Sequence, residues 1–357
     1  MHQLIKPHKL NKNDTVATIS LSWGGAGMFK DRYLYAKKLF EQTFGVKVIE
    51  SPHSLCSPDE LYNHPEWRLQ DLMWAFENDE VKAVLTTIGG DDTIRLLSLM
   101  NGTHFETMRK HPKIFMGMSD TTVNHFMCLK AGLSSFYSPA LMFGYAENGG
   151  IPDYIVKNTE KSLFSTEPIG TLTPSKDFIV QKIPFDDFQT IRCRISAESW
   201  RFIQGSTKAS GRLIGGCIDV LNLINGTSLW PKIDEWENVV LFIETSEEKP
   251  SADQLSYWLR NFGAQGILSK FSGILFARPG GELSAQKVEK QYQYIAHYTD
   301  YDVAILKVLR EYNCTEIPVV TNMDFGHTVP QLILPYGALC EIDVCTRKVS
   351  ILEAGVV

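Results

Sequence analysis

A serine lies where an apolar predicted strand gives way to a helix within three residues, in the segment 117–122 (GMSDTT). A sharp strand-to-helix turn exposes a hydroxyl above the sheet, and the backbone N–H after it points toward a developing oxyanion at a helix N-terminus. Ser119 is therefore a candidate nucleophile. Thr121 replaces the second glycine of the G-x-S-x-G signature, and the alternative is that these polar residues simply cap the helix.

Two glycines follow another predicted strand, in the segment 87–93 (TIGGDDT). Glycine lets a backbone approach a ligand closely, and free N–H groups at a helix start can bind an anion. The segment matches neither the phosphate loop G-x-x-x-x-G-K-[ST] nor the dinucleotide fingerprint G-x-G-x-x-G. Gly89 and Gly90 are candidates for contact with a substrate, and the alternative is a tight turn capped by aspartate.

A carboxylate and an imidazole lie at two further strand ends. Glu244 closes the apolar run 239–244, where it can orient a catalytic histidine, although Glu247 and Glu248 favour a solvated acidic loop as the alternative. His327 lies in the glycine-containing loop 324–328 (DFGHT). Ligands bind at the carboxyl ends of strands in α/β sheets, and Ser, Glu and His in this chain order are sufficient for acyl transfer.

Short apolar runs alternate with helical patterns along the whole chain, which predicts βαβ units, a mostly parallel sheet and the α/β fold class. The predicted strands are 15–20, 46–50, 84–88, 114–118, 211–214, 239–244, 273–277 and 318–322. The predicted helices are 31–44, 65–78, 93–100, 122–131, 217–224, 252–262, 287–298 and 302–312. A closing β-hairpin is predicted from segments 329–335 and 338–344 around Tyr336-Gly337.

The length of 357 residues predicts two domains, at about 150 residues each. The region 145–210 is irregular and proline-containing, so we place the boundary near 168, which gives domains 1–168 and 169–357. A net charge of -6 does not suggest nucleic-acid binding. No apolar stretch approaches the ~18 residues of a membrane span, and the N-terminus lacks a secretory pattern. Seven scattered cysteines without a C-x-x-C pair favour reduced thiols in a cytosolic protein.

Taken together, these segments resemble the LD-carboxypeptidase family of serine peptidases, which includes murein tetrapeptide carboxypeptidases and microcin C immunity peptidases. The resemblance covers almost the whole chain and rests on the order and spacing of its motifs. The matching segments are 13–17 (NDTVA), 89–90 (GG), 117–120 (GMSD), 137–139 (YSP), 211–216 (GRLIGG), 225–227 (NGT), 243–244 (IE), 325–327 (FGH) and 334–337 (LPYG). The chain departs from the family at 21–24 (LSWG) and at Cys217, where an asparagine is common.

The resemblance implies a Rossmann-like N-terminal domain with a mostly parallel sheet and a smaller C-terminal α/β domain. The active site would lie between them, usually in a homodimer. It implies that Ser119 attacks a carbonyl, His327 takes its proton and Glu244 holds the imidazole. The backbone N–H groups of Gly90 and Asp120 would form the oxyanion hole.

The segment 244–248 (ETSEE) looks closer to the microcin immunity branch, in which a tryptophan between the domains stacks on a nucleotide base. Trp200 is the candidate for that tryptophan, and the alternative is a core or interface residue. Gly89 would contact the substrate. No metal or organic cofactor is implied.

The resemblance therefore implies a cytoplasmic serine carboxypeptidase or amidase that acts on acidic aminoacyl-nucleotides, as in microcin C detoxification. One alternative substrate is a murein tetrapeptide, from which the terminal D-Ala is removed. Another alternative is a non-catalytic protein that binds a nucleotide or a peptide. The expected partner is a small peptide or aminoacyl-nucleotide, with no nucleic acid and no membrane.

Overall fold

Two large sheets with flanking helices form the protein, and the computed structural model describes residues 3–179, 181–280 and 291–357. The strands are β1 (Thr15–Ile19), β2 (Lys47–Glu50), β3 (Val81–Thr86), β4 (Ile114–Gly117), β5 (Phe136–Tyr137), β6 (Gly170–Thr171), β7 (Asp177–Phe178), β8 (Ile195–Ser196), β9 (Arg201–Gln204), β10 (Lys208–Cys217), β11 (Val239–Glu244), β12 (Phe271–Ala277), β13 (Val319–Met323), β14 (Leu334–Pro335), β15 (Leu339–Asp343) and β16 (Lys348–Ile351). The helices are α1 (Gly25–Met28), α2 (Lys30–Phe44), α3 (Pro58–Asn63), α4 (Pro65–Glu77), α5 (Gly102–Lys110), α6 (Thr122–Ala131), α7 (Asp153–Leu163), α8 (Ile218–Ile224), α9 (Ala252–Ala264) and α10 (Gln291–Glu311).

The first sheet has the strand order β14-β5-β4-β3-β1-β2. Its five strands from the first half of the chain are parallel, and β14 pairs antiparallel with β5 at the edge. Every residue of β4 is buried, as is expected for a parallel strand covered by helices on both faces. This confirms the mostly parallel sheet that the alternation of strands and helices predicts, and it agrees with the Rossmann-like N-terminal domain that the family resemblance implies.

The second sheet has the order β6-β16-β15-β10-β11-β12-β13-β9. Strands β10 to β13 are parallel, and antiparallel strands extend both edges. The two sheets bring their carboxyl ends together, so that the loops after β3, β4, β11 and β13 all face one cavity. This arrangement confirms the predicted α/β class. It also places the candidate residues at the strand ends around one cavity, where ligands bind in α/β sheets.

The predicted closing hairpin is wrong. Leu334 pairs with Tyr137 of the first sheet, whereas β15 pairs with β10 and β16 of the second. The turn between them carries the chain from one sheet to the other, because Tyr336 N–H donates to Ser135 O and Gly337 N–H donates to Leu213 O. A turn motif does not specify which strands its flanks will pair with, so the local pattern was misleading.

Several helix predictions need correction. Helices α1, α3, α5 and α7 are absent from the predicted set, and the segment 93–100 forms a 3-10 helix over Thr93–Ser98 instead of an α-helix. The predicted helices 287–298 and 302–312 are one helix over Gln291–Glu311, and positions 287–290 lie outside the described residues. No helix in the described ranges is long and apolar enough to cross a membrane.

Candidate active site

Ser119 lies on a strained turn directly after β4. Its φ is +59°, a left-handed conformation that residues other than glycine seldom adopt, and the 3-10 turn Ser119–Thr121 leads straight into α6. Glycine is required at the end of the strand, because a Cβ on Gly117 would lie 2.3 Å from Thr86 Oγ1 of the neighbouring β3. The tight turn places the Ser119 hydroxyl on the wall of the cavity.

The three residues expected to form a triad are hydrogen-bonded to one another. Ser119 Oγ lies 3.0 Å from Nε2 of His327, and Nδ1 of His327 lies 2.7 Å from Oε2 of Glu244. Glu244 is fully buried and His327 nearly so. When Nδ1–H donates to the carboxylate, Nε2 is left to accept the serine proton, which is the tautomer that general-base catalysis needs.

A glycine brings the histidine loop against the acid. Gly326 has φ +80°, and a Cβ there would lie 2.6 Å from Glu244 Cβ, so no larger residue fits between the loop and the carboxylate. The Gln331 side-chain amide donates to Gly326 O and holds the loop from the other side. These contacts fix the imidazole next to Glu244 before any substrate arrives.

Asp324, three residues before His327, anchors the same loop to the protein interior. Its carboxylate accepts hydrogen bonds from Ser175 N–H (2.9 Å), from the Arg278 guanidinium (2.8 Å) and from the indole N–H of Trp200 (2.8 Å). Arg278 is fully buried, and its guanidinium also lies 4.3 Å from the centre of the Phe178 ring. The loop that carries the imidazole therefore rests on a buried, charged support.

The expectation that Trp200 stacks on a substrate base is corrected by this arrangement. Its side chain is only 3% exposed, its indole N–H is bonded to Asp324, and it does not line the described cavity. The core alternative therefore describes its position. An apolar aromatic residue between two predicted domains has the same sequence pattern in either role, which is why the sequence did not separate them.

Gly89 and Asp120 border the same small space in front of Ser119. A Cβ on Gly89 would lie 3.2 Å from Ser119 Oγ and 3.6 Å from Asp120 N, so that space is open only because residue 89 is glycine. Gly90 has φ +153°, and a Cβ there would lie 2.1 Å from Ser22 Oγ. Within the described ranges, the N–H groups of Gly90 and Asp120 donate to no other protein group. Both N–H groups therefore remain candidates for the oxyanion hole.

The Asp120 side chain ties the glycine loop to the nucleophile turn. It accepts hydrogen bonds from Ser22 Oγ at 2.6 Å and from Thr93 N–H at 2.8 Å. Burial raises the pKa of Asp120, and these two hydrogen bonds act in the opposite direction. Asp92 on the same loop pairs with the fully buried Arg68 at 2.6 Å. The loop at 89–92 is thereby held rigidly beside Ser119.

A second carboxylate reaches the His327 imidazole, which the sequence did not indicate. Glu247 Oε2 lies 2.9 Å from His327 Nε2, the nitrogen that also faces Ser119. Burial alone lowers the pKa of His327, but the charges of Glu244 and Glu247 and their hydrogen bonds outweigh burial and raise it to about 10. The hydrogen bond with His327 in turn lowers the pKa of Glu247 to about 2.

The cavity in front of Ser119 has a volume of about 830 Å³ and is lined by both halves of the chain. Three aromatic rings cluster on one wall, with ring centres 6.0 Å apart for Trp23 and Phe29 and 5.0 Å apart for Phe29 and Phe185. Asp219, Glu247 and Glu248 also line the cavity. Trp23 belongs to the segment 21–24, which departs from the family pattern.

Metal ligation finds no support in the described part of the chain, where no cluster of three His, Cys, Asp or Glu side chains is arranged to hold an ion. Cys217 lines the cavity, and burial together with the charges of Glu244 and Asp219 raises the pKa of its thiol well above the usual value. All seven cysteines are free thiols.

Comparison with known proteins identifies the family. Residues 16–138 match the LD-carboxypeptidase N-terminal domain, and residues 210–342 match the LD-carboxypeptidase C-terminal domain. The chain belongs to the LD-carboxypeptidase family of serine peptidases. The resemblance inferred from the motifs is thus confirmed, and the protein is a hydrolase with two family domains.

Related LD-carboxypeptidases extend over nearly the whole chain. The probable murein peptide carboxypeptidase of Bacillus subtilis is 28% identical over 98% of this chain and 95% of its own length. The microcin C7 self-immunity protein MccF of Escherichia coli is 25% identical over 95% of this chain and 93% of its own length. An MccF-like protein from Streptococcus pneumoniae, solved in complex with AMP, is 27% identical and superimposes with a TM-score of 0.80, covering 95% of this chain and 98% of that one.

Proposed function

We propose that this LD-carboxypeptidase hydrolyses an amide bond through Ser119, His327 and Glu244, and that its substrate is an acidic aminoacyl-nucleotide. The observation that carries the triad is the continuous set of hydrogen bonds from the Ser119 hydroxyl through the imidazole to the buried carboxylate. All three side chains come from different strand ends, as sites in α/β proteins do.

In the first step Ser119 Oγ forms a bond to the substrate carbonyl carbon as its proton passes to His327 Nε2. Glu244 stabilises the imidazolium without taking the proton. The N–H groups of Gly90 and Asp120 donate to the oxyanion, and loss of one such donor typically costs about 3 kcal/mol of transition-state stabilisation. The imidazolium then protonates the departing amine, and water activated by His327 releases the acid from the acyl-enzyme.

Support for a nucleotide leaving group comes from the aromatic wall of Trp23, Phe29 and Phe185, which takes the place proposed for Trp200. Bases stack on aromatic rings for about 1–3 kcal/mol each. Among the relatives, the MccF-like protein of Streptococcus pneumoniae was solved in complex with AMP, which is a nucleotide. A cavity of about 830 Å³ is large enough for a ligand of this size.

The alternative substrate is a murein tetrapeptide, favoured by the similarity to the Bacillus subtilis relative. The two substrates are separated by assaying the purified protein on aspartyl sulfamoyl adenosine and on the murein tetrapeptide that ends in D-Ala. We expect the first to be cleaved with the higher kcat/KM. Cleavage of the tetrapeptide alone would overturn the nucleotide proposal, and tight binding of either compound without turnover would favour the non-catalytic alternative.

We also propose a division into domains 1–168 and 169–357, because the region 145–210 is irregular, and a homodimer, as the family resemblance implies. The scattered cysteines favour a cytoplasmic location. Light scattering of the purified chain tests the dimer, and a monomer at micromolar concentration would contradict it. One strand crosses this boundary, since β14 belongs to the second domain by sequence but lies at the edge of the first sheet. Limited proteolysis tests the boundary by whether the first cuts fall near residue 168.

A further inference from the structure

One buried hydroxyl touches both the nucleophile turn and the triad acid. The Tyr137 hydroxyl lies 3.0 Å from the backbone nitrogen of Ser119, and it also forms a short hydrogen bond with Oε1 of Glu244. Tyr137 is 1% exposed and the acid is fully buried. The contact therefore joins a residue of the first sheet to one of the second through a single oxygen atom.

The direction of the two hydrogen bonds follows from the groups involved. A backbone N–H can only donate, so the phenol oxygen accepts from Ser119, and its own proton then goes to the carboxylate of Glu244. Burial, followed by the negative charge of Glu244, raises the pKa of Tyr137 well above its usual value, so the phenol keeps that proton. Oε1 of Glu244 is thereby paired, while Oε2 faces His327.

The sheet places this hydroxyl where it is needed. Tyr137 lies opposite Gly117, the last residue of the nucleophile strand, and on its other side opposite Leu334 of β14. Ser119 has an unfavourable positive φ, and its N–H finds an acceptor in this side chain. An unpaired N–H at a buried turn costs free energy, so the phenol stabilises the conformation that presents the nucleophile.

We propose that Tyr137 is a positioning residue that fixes the Ser119 turn and the Glu244 carboxylate relative to each other across the two domains. This inference rests on the proposed triad. Its consequence is kinetic as well as structural, because the phenol proton stabilises the negative charge on Glu244. A carboxylate that the phenol already stabilises attracts the imidazolium of His327 less strongly. The phenol therefore lowers the pKa of His327 and favours the neutral imidazole that accepts the serine proton.

The groups that can titrate around this hydroxyl must be considered for any pH effect. They are Glu244, His327, Glu247, Cys217, Tyr336 and His125. Burial raises the pKa of the Cys217 thiol and of the Tyr336 phenol well above their usual values, and it lowers the pKa of His125 to about 4. A shift of the acid limb above the range of His125 therefore reports on His327.

The test compares Tyr137→Phe with Tyr33→Phe in the full chain, using aspartyl sulfamoyl adenosine or the murein tetrapeptide, whichever the wild type cleaves. Tyr33 is a matched control, because it is equally buried and its hydroxyl bonds both Thr18 Oγ1 (2.7 Å) and Glu50 Oε1 (3.0 Å), away from the triad. Tyr137→Phe is expected to lower kcat by about 10- to 100-fold, with KM changed less than about 2-fold. The acid limb of its kcat/KM profile is expected to shift to higher pH.

Tyr33→Phe is expected to leave kcat and the acid limb unchanged. If Tyr137→Phe behaves in the same way while Ser119→Ala abolishes hydrolysis, the inference about Tyr137 is overturned and the triad stands. If Ser119→Ala keeps full activity, the proposed function itself fails. The two failures are therefore distinguishable.

Thermal melting checks that Tyr137→Phe is folded. Should it not fold, 3-fluorotyrosine at position 137 keeps the ring and hydroxyl while making the phenol a stronger donor. The acid limb should then move to lower pH, opposite to the effect of phenylalanine. An unchanged or upward-shifted acid limb in the fluorinated protein would refute the proposed role.

Discussion

Glu247 Oε2 lies 2.9 Å from Nε2 of His327, the ring nitrogen that faces Ser119. With Glu244 on Nδ1, the imidazole has a carboxylate at each nitrogen, which favours the imidazolium and raises the pKa of His327 to about 10. An imidazolium cannot accept the serine proton. Because the Glu247 side chain is 59% exposed, it can leave the imidazole when a substrate enters.

Replacing Glu247 by glutamine should activate the free enzyme near neutral pH. Removal of one carboxylate lowers the pKa of His327, so a larger fraction of the imidazole is neutral at pH 7 and the acid limb of kcat/KM moves to lower pH. The measurement is the pH dependence of kcat/KM from pH 5 to 10. Glu248→Gln is the control, since Glu248 lines the cavity without contacting His327. An acid limb identical in the two variants would contradict this prediction.

A methyl group at residue 89 should block the reaction without unfolding the protein. In Gly89→Ala the new Cβ would lie 3.0 Å from Ser119 Cβ and 3.2 Å from its Oγ, in the space proposed for the reacting carbonyl. We expect kcat/KM to fall by about 10²- to 10³-fold, as when an oxyanion contact is lost. Gly102→Ala is the control, because no atom lies within 4 Å of a Cβ there. Equal activity of the two variants would exclude Gly89 from the site.

The aromatic wall should matter for a nucleotide and little for a peptide. Trp23→Ala removes the ring that packs against Phe29 and Phe185, and we expect KM for aspartyl sulfamoyl adenosine to rise by about 5- to 100-fold. KM for a murein tetrapeptide, which has no flat ring, should change by less than about 3-fold. Steady-state kinetics on both compounds tests the prediction. An equal effect on both would remove Trp23 as a base-stacking residue.

Trp200→Phe should act on stability and not on substrate binding. The change leaves Asp324 without the indole N–H, and loss of a hydrogen bond to a buried charge costs about 1–3 kcal/mol. The melting temperature should therefore fall while KM stays within about 2-fold of the wild type, a margin well below the effect of a lost base stack. A raised KM with an unchanged melting temperature would instead return Trp200 to the substrate site.

The sequence was sufficient to bring Ser119, Glu244 and His327 together as candidates, because each lies at or after the carboxyl end of a predicted strand and the three occur in the order that the family resemblance implies. It could not reveal Tyr137 or Glu247. Their contacts depend on the register of β5 beside β4 and on how the second sheet approaches the first. The same long-range dependence made the closing hairpin wrong, since β14 pairs with a strand nearly 200 residues earlier.

The decisive experiment is the hydrolysis rate of purified Ser119→Ala, measured beside the wild type on the better of the two substrates and with melting temperatures compared. Loss of the nucleophile in a serine triad typically lowers kcat by about 10⁴-fold or more. We predict a loss of that size in a variant that remains folded. A folded Ser119→Ala protein that hydrolyses the substrate at the wild-type rate would contradict the proposed mechanism.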